Sequence, residues 1–227
     1  MEESTVTASP SEIVGMLHLI RTSTLADILE EHGFHGAMDG RIRCVVNTER
    51  KMVGRAITMK KAPYRPDAPE ARLSSSHHLF LVLNAAQLGD VLVIDAHGVM
   101  AAASFGDLAG RAARARGMVG AVCDGAVRDV RDLRTTGLSV YATGVHTSSG
   151  LKRLLSLDMN VPIRCGDVPV SPGDYVVGDE DGVVVVPETM APAVIAAFRA
   201  EQTEFGEAAF IEATGDFLAA MKRFGRA

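Results

Sequence analysis

Residues 105–132 read FGDLAGRAARARGMVGAVCDGAVRDVRD, a phrase that sets a glycine-opened helix beside a buried strand and closes on an Arg-Asp pair. Gly106 precedes an Ala/Arg-rich run whose spacing predicts a helix ending at Gly117, where glycine enters the left-handed cap conformation without steric cost. Met118 to Cys123 is an apolar run of strand length, emptying into Asp124-Gly125. Arg128 and Asp129 follow at once. Together these pieces predict a βαβ-like unit of an α/β fold, with its ligand crevice beyond the carboxyl end of the strand. The first amides of a helix are unpaired and sit at the positive end of its dipole. The amides after Gly106 are therefore expected to hold a carboxylate or phosphate. Arg128 and Asp129 would place a cation and a metal-binding carboxylate at the mouth of the same crevice.

Outward from this unit, Glu12 to Glu31 alternates apolar and polar residues at helical spacing, with Thr24 as a cap and Gly33 as the stop. Met52 to Met59 reads as a strand, and Leu79 to Leu88 as a short apolar helix or strand. Between them, Lys61 to Ser76 (KAPYRPDAPEARLSSS) is polar, proline-containing and inserted-looking. GDVLVIDAHG at 89–98 is a turn feeding a buried strand, and GDYVVGDEDG at 173–182 echoes it. Ten residues of likeness are too few to establish a duplication. Val161 to Pro187 carries the Val/Gly/Pro/Asp mixture of closely spaced short strands. The remainder is Ala/Glu/Phe-rich and helical, broken at Gly206 and Gly215.

Composition narrows the class. A chain of 227 residues with 47% hydrophobic content can bury a substantial core as one domain. A net charge of -5 with no long basic run argues against a nucleic-acid surface. No run approaches 18 apolar residues and the first residues lack a signal pattern, so a cytoplasmic protein without membrane contact is expected. Cys44, Cys123 and Cys165 are too scattered for a disulfide framework or a CxxC zinc site and are expected as buried thiols. Met16, Met52, Met59 and Met100 look like core filler. His77-His78 falls in an expected loop, and His97 and His146 have no assigned role.

Three phrases in order, GDVLVIDAHG, the 105–132 stretch and CGDVPVSPGDYVVGDEDGVVVVP at 165–187, resemble the family of the regulator of ribonuclease activity A. Within it they are most similar to the divalent-metal-dependent 4-hydroxy-4-methyl-2-oxoglutarate aldolases. The resemblance runs from about Thr22 to Pro187. Its discriminating feature is Arg128-Asp129 with Asp132 three positions on, because the ribonuclease regulators lack the metal-binding aspartate. The resemblance implies an α/β fold with a mixed sheet, of the swivelling ββα type seen in phosphohistidine domains. It would span residues 1–190, with a C-terminal helical extension, 191–227, that could bridge subunits. It also implies homotrimers or homohexamers with active sites at subunit interfaces, and a neighbour's glutamate, Glu204 or Glu207, in each site. By the same resemblance, Asp129 ligates Mg²⁺ or Mn²⁺ largely through waters, and Arg128 contacts the keto oxygen of a small 2-oxo acid. The amides from Gly106 to Ala109 would hold its carboxylate, and Asp107 would orient a water on the metal. The chain departs from the aldolases after about Ala200.

This residue set suits retro-aldol cleavage of 4-hydroxy-2-oxo acids and decarboxylation of oxaloacetate, since both generate pyruvate enolate and need positive charge at the 2-keto oxygen. Duller readings exist for each residue. Asp107 could merely cap its helix, and Arg128-Asp129 could be a surface ion pair worth about 0 to 1 kcal/mol. A Schiff-base aldolase is the mechanistic rival, with Lys60 as the one lysine that closes an apolar strand. A non-catalytic, protein-binding regulator of ribonuclease activity is the rival from another class.

Overall fold

The computed structural model describes residues 9–67, 77–200 and 210–223. Its centre is a mixed sheet whose main path runs β1-β6-β5-β3-β2-β10-β11, with β4 added to β5 and β7 to β2. These strands are β1 (Arg43–Val46), β2 (Met52–Pro63), β3 (Asp90–Asp95), β4 (Ala103–Phe105), β5 (Gly120–Val127), β6 (Ser139–Val145), β7 (Leu154–Met159), β10 (Tyr175–Gly178) and β11 (Val183–Val186). A separate hairpin-like pair, β8 (Ile163–Cys165) and β9 (Val168–Val170), packs beside them. β2, β3, β5 and β6 are mutually parallel, while β1, β7, β10 and β11 pair antiparallel.

β3 shows why the centre is parallel. Leu92 and Ile94 face one core cluster, with Ile57, Met59 and Ala113, whereas Val91 and Val93 face another, with Tyr141, Ile163 and Val176. Every one of the four is fully buried, the pattern of a strand covered on both faces. Each such side chain contributes about 1.5–3 kcal/mol of burial. The first face is covered by α3 (His77–Ala85) and α4 (Asp107–Ala115). A third cluster joins α1 (Pro10–Leu17), α2 (Thr22–Glu31) and α6 (Ala191–Ala200) to β10 and β11. The first helix of the expected extension thus packs on the N-terminal helices, through Ala191, Val194 and Ile195. A short helix, Phe217–Arg223, ends the described chain, after a left-handed Gly215. Gly206 lies outside the described residues.

Several expectations are corrected. The helical stretch from Glu12 is two helices, and Lys51 Nζ closes the break by donating to the carbonyls of Leu17, His18 and Ile20. Thr24 is buried inside α2 and does not cap it. The capping carboxylate is Asp179, which accepts from Thr22 N and Thr22 Oγ1 at 2.9 and 2.6 Å. A cap supplied from 157 residues away leaves no local signature. Gly33 does close α2, with a positive φ. β2 runs on to Pro63, so Lys61 belongs to the sheet and not to the inserted stretch. The rest of that stretch lies largely outside the described residues. His77 and His78 open α3. β5 continues through Asp124-Gly125 to Val127, and its register with β6 shifts between Cys123 and Ala126, so the Asp-Gly pair is a bulge within the strand. The two echoed phrases flank β2, β3 in parallel and β10 antiparallel. Met52 and Met59 are core residues, Met16 is half-buried, and Met100 is exposed. Cys123 and Cys165 are buried, while Cys44 is only partly so. Among the described residues, no helix is long and apolar enough to cross a membrane.

Candidate functional site

β4 lies parallel to β5, with Ala103 opposite Ala126 and Phe105 opposite Val127. Both strands therefore end at the same level, and Gly106 stands beside Arg128 and Asp129. The Arg128 amide donates to the Phe105 carbonyl at 3.0 Å, which pins the junction. Gly106 is the N-cap of α4, with no side-chain cap bond. A β-carbon there would lie 2.7 Å from Asp129 Oδ2 and 3.0 Å from Arg128 Cγ, so only glycine admits both side chains. Asp129 adopts a left-handed conformation, φ 55° and ψ 38°, which ends β5 and starts the four-residue helix α5 (Val130–Leu133). Aspartate tolerates this region better than most residues. The turn directs its carboxylate back at α4.

The resulting cavity, of about 270 Å³, is lined by the expected residues Gly106, Asp107, Leu108, Ala109, Arg128 and Asp129. Asp129 Oδ2 accepts from the Asp107 amide at 3.2 Å and stands 3.3 Å from Arg128 Nε. Both side chains are more than a third exposed, so the pair itself adds little stability. The amides of Leu108 and Ala109 have no acceptor among the described residues and remain available to an anion. Asp107 is the first helical residue and does not cap α4. Its Oδ1 lies 2.7 Å from Arg111 Nε one turn on, though the approach lacks hydrogen-bond geometry. Asp132 forms no ion pair among the described residues and lies outside this lining. Glu204 and Glu207 lie outside the described residues.

The donor set bears on the implied metal. Among the described residues no three His, Cys, Asp or Glu side chains gather as a ligand cluster. Two carboxylates, Asp107 and Asp129, line the cavity, and Mg²⁺ or Mn²⁺ that keeps most of its waters needs no more than one or two. The residues thus fit a hydrated hard cation and do not fit zinc.

Reasoning from the sequence missed Lys61, Ser104 and the apolar rim of Phe80 and Leu151. Lys61, not Lys60, is the buried lysine: its side chain is enclosed, and Nζ donates to the Ser104 carbonyl at 3.1 Å. Burial pushes its pKa down to about 8. The one available signal was strand alternation, because Met59 and Lys61 share a face. A larger cavity of about 430 Å³ collects Asp95, His97, Asp124 and Arg164. Its acidic groups are already satisfied: Asp95 accepts from the His97 amide and stands 3.4 Å from His97 Nδ1, and Asp124 accepts from the Ala96 amide. Burial, with a smaller push from Asp95, raises Asp124 to about 6. It offers no open helix N-terminus, and the smaller cavity is the better-equipped anion site. His146 accepts from the Ser148 amide through Nδ1 and lies away from both.

Fold and cavity define an α/β protein in which a helix N-terminus, an arginine and a carboxylate face one cleft. The chain belongs to the RraA-like family (Aldolase/RraA), whose model matches residues 22–185. It is 38% identical over 116 residues to a Halalkalibacterium halodurans protein named "Putative 4-hydroxy-4-methyl-2-oxoglutarate aldolase", across 51% of this chain and 55% of that one. A Hahella chejuensis protein of the same name is 40% identical over 103 residues, across 45% of this chain and 62% of that one. The matches thus span little more than half the length of these relatives. Among solved structures, Streptomyces coelicolor RraAS2, described as an unusual member of the RNase ES inhibitor RraA family, superposes with a TM-score of 0.79 at 29% identity. That superposition covers 90% of this chain and 100% of the other. The RNA-processing inhibitor RraA from Thermus thermophilis superposes with a TM-score of 0.57 at 27% identity, across 74% of this chain and 93% of that one.

Proposed function

We propose that this protein is a divalent-metal-dependent pyruvate aldolase. It would cleave 4-hydroxy-2-oxo acids such as 4-hydroxy-4-methyl-2-oxoglutarate and decarboxylate oxaloacetate. One observation carries this reading: Arg128, Asp129 and the open amides of α4 line a single small cavity. The names of the relatives support the same chemistry.

In this reading the Leu108 and Ala109 amides hold the C1 carboxylate, with the α4 dipole behind them. The Arg128 guanidinium donates to the C2 keto oxygen and opposes the charge that develops there; arginine stays protonated throughout. Asp107 takes the C4 hydroxyl proton through a water. As that proton leaves, the C3–C4 bond breaks, its electron pair moves into the C2 carbonyl as pyruvate enolate, and C4 becomes a ketone. Protonation at C3 releases pyruvate. Asp129, with Asp107 beside it, would hold Mg²⁺ or Mn²⁺, which when bound supplies Lewis-acid stabilisation of the enolate. Asp129 meanwhile occupies the Asp107 amide, which leaves the Leu108 and Ala109 amides for the substrate. Homotrimers or homohexamers, with Glu204 or Glu207 of a neighbour near the cavity, belong to the same proposal. The extension from 191 and a cytoplasmic location belong to it as well.

The test is pyruvate release from 4-hydroxy-4-methyl-2-oxoglutarate and from oxaloacetate with Mg²⁺, abolished by EDTA and restored by Mn²⁺. Release from neither substrate removes the aldolase reading. The likeness to RraAS2 favours a second one, a protein-binding regulator without catalysis. That reading predicts full biological function for Asp129→Ala. Borohydride trapping of pyruvate on Lys61 would instead establish a Schiff-base route.

A further inference from the structure

Lys61 is a buried cation without a counter-ion. Its residue is 3% exposed, and among the described residues no carboxylate pairs with it. Among the described residues its hydrogen-bond acceptor is the Ser104 carbonyl, 3.1 Å away, which leaves two of its three N–H donors unused there. Ser104 is 4% exposed, and its Oγ has no partner of acceptable geometry; its polar neighbour is the Cys123 thiol, which burial pushes up to about 12 and so keeps protonated. Both residues line the cavity that holds Arg128 and the α4 amides. An unpaired buried ammonium is costly, and so is an unpaired buried hydroxyl. Two such groups side by side, both on a cavity wall, have the form of half a binding site. The missing half is an anion with several acceptor lone pairs.

The polypeptide geometry favours this placement. Lys61 sits where β2 shifts register against β7, between Lys60 and Lys61, a bulge that aims a side chain at a defined point. Ser104 lies on β4, two residues before Gly106, so the strand that leads to the α4 cradle also lines the wall beside Lys61.

We propose that Lys61 Nζ and Ser104 Oγ form a second anion subsite that takes the distal carboxylate of a 2-oxo dicarboxylate. Lys61 is then a specificity-determining residue that selects 2-oxo dicarboxylates over 2-oxo monocarboxylates. This rests on the 2-oxo acid reading of the cavity, with the first carboxylate at α4.

The test is calorimetric titration of the full chain, in Mn²⁺, with 2-oxoglutarate and with 2-oxopentanoate. The two match in length and differ in the distal carboxylate, and neither carries a 4-hydroxyl to cleave. The native protein is expected to prefer 2-oxoglutarate by about tenfold or more, the scale of a hydrogen bond to a charged group. Lys61→Met should reduce that preference to within about twofold, leave 2-oxopentanoate affinity unchanged and not lower the melting midpoint, since a stranded charge is gone. Ser104→Ala should give an intermediate preference. Equal native affinity for the two ligands overturns the subsite and leaves the 2-oxo acid reading standing. Failure to bind either overturns that reading itself. A preference retained in Lys61→Met, or a lowered melting midpoint with both ligands weakened alike, overturns the assignment by making Lys61 structural. Should Lys61→Met not fold, the native preference and its reduction in Ser104→Ala decide.

Discussion

The carboxylate of Asp129 rests on the N-terminus of α4, its Oδ2 3.2 Å from the Asp107 amide, although the two residues are 22 apart in sequence. The side chain proposed to hold a metal thereby occupies the first amide of the helix whose next two amides are proposed to hold substrate.

Asp129→Asn separates the charge from the geometry. Asparagine keeps the shape, tolerates φ of 55° and still accepts from the Asp107 amide. Stability should change by less than about 1 kcal/mol, because the Arg128 pair is exposed. Mn²⁺ affinity, read by electron paramagnetic resonance, should fall by about 100-fold, at or beyond the 10–100-fold cost of losing an outer-shell partner. Unchanged Mn²⁺ affinity would move the metal away from Asp129.

Gly106→Ala tests the close approach. Its φ of -162° is open to any residue, so the backbone should fold unchanged. The new methyl would lie 2.7 Å from Asp129 Oδ2 and 3.0 Å from Arg128 Cγ, and both side chains must move. Displacements near 1 Å at reacting groups cost about 10²-fold. Pyruvate release should drop by that order while the circular dichroism melting curve stays in place.

Much of this cleft was legible because its parts are close in sequence: a glycine, a helix and an Arg-Asp pair within 28 residues. Their adjacency in space follows from one parallel strand pair, β4 against β5. Lys61 is not legible as a strand residue, since polarity groups it with the inserted-looking stretch that runs to Ser76, and only the sheet shows that β2 carries it inward beside Met59. Thr24 failed for a related reason. A capping oxygen in its own segment seemed the natural partner, whereas Asp179 caps α2 from across the fold.

Lys61 should leave a signature in the pH dependence of stability. Burial lowers its pKa from 10.5 to about 8. Between those values the unfolded chain binds a proton that the folded chain has released, so the lysine's contribution to stability rises with pH. Its penalty is fully present below about pH 8, on the order of 3 kcal/mol, and is gone above 10.5. Urea denaturation of the native protein and Lys61→Met should therefore show a gap in the variant's favour at pH 7 that closes towards pH 10.5. A gap independent of pH would mean that the ammonium is not buried in solution.

Gly110→Ala sets helix propensity against packing. Gly110 lies inside α4, where alanine would gain about 1 kcal/mol in an exposed helix. Here the added β-carbon would meet Leu133 Cδ2 at 2.4 Å, and Leu133, the last residue of α5, is fully buried. A leucine methyl can often rotate away, but Ala109, Ala113 and Phe105 fill the same cluster and leave it little room. Overpacking of this kind costs about 1–3 kcal/mol, so the packing term should win by about 1 kcal/mol. The relief open to the protein is to lift α4, and α4 supplies the cradle. Thermal denaturation should show a lowered midpoint, and 2-oxoglutarate affinity should fall with it, although Gly110 lies outside the cavity lining. A midpoint raised above that of the native protein would show that Leu133 repacks freely and that α4 is not held by this contact.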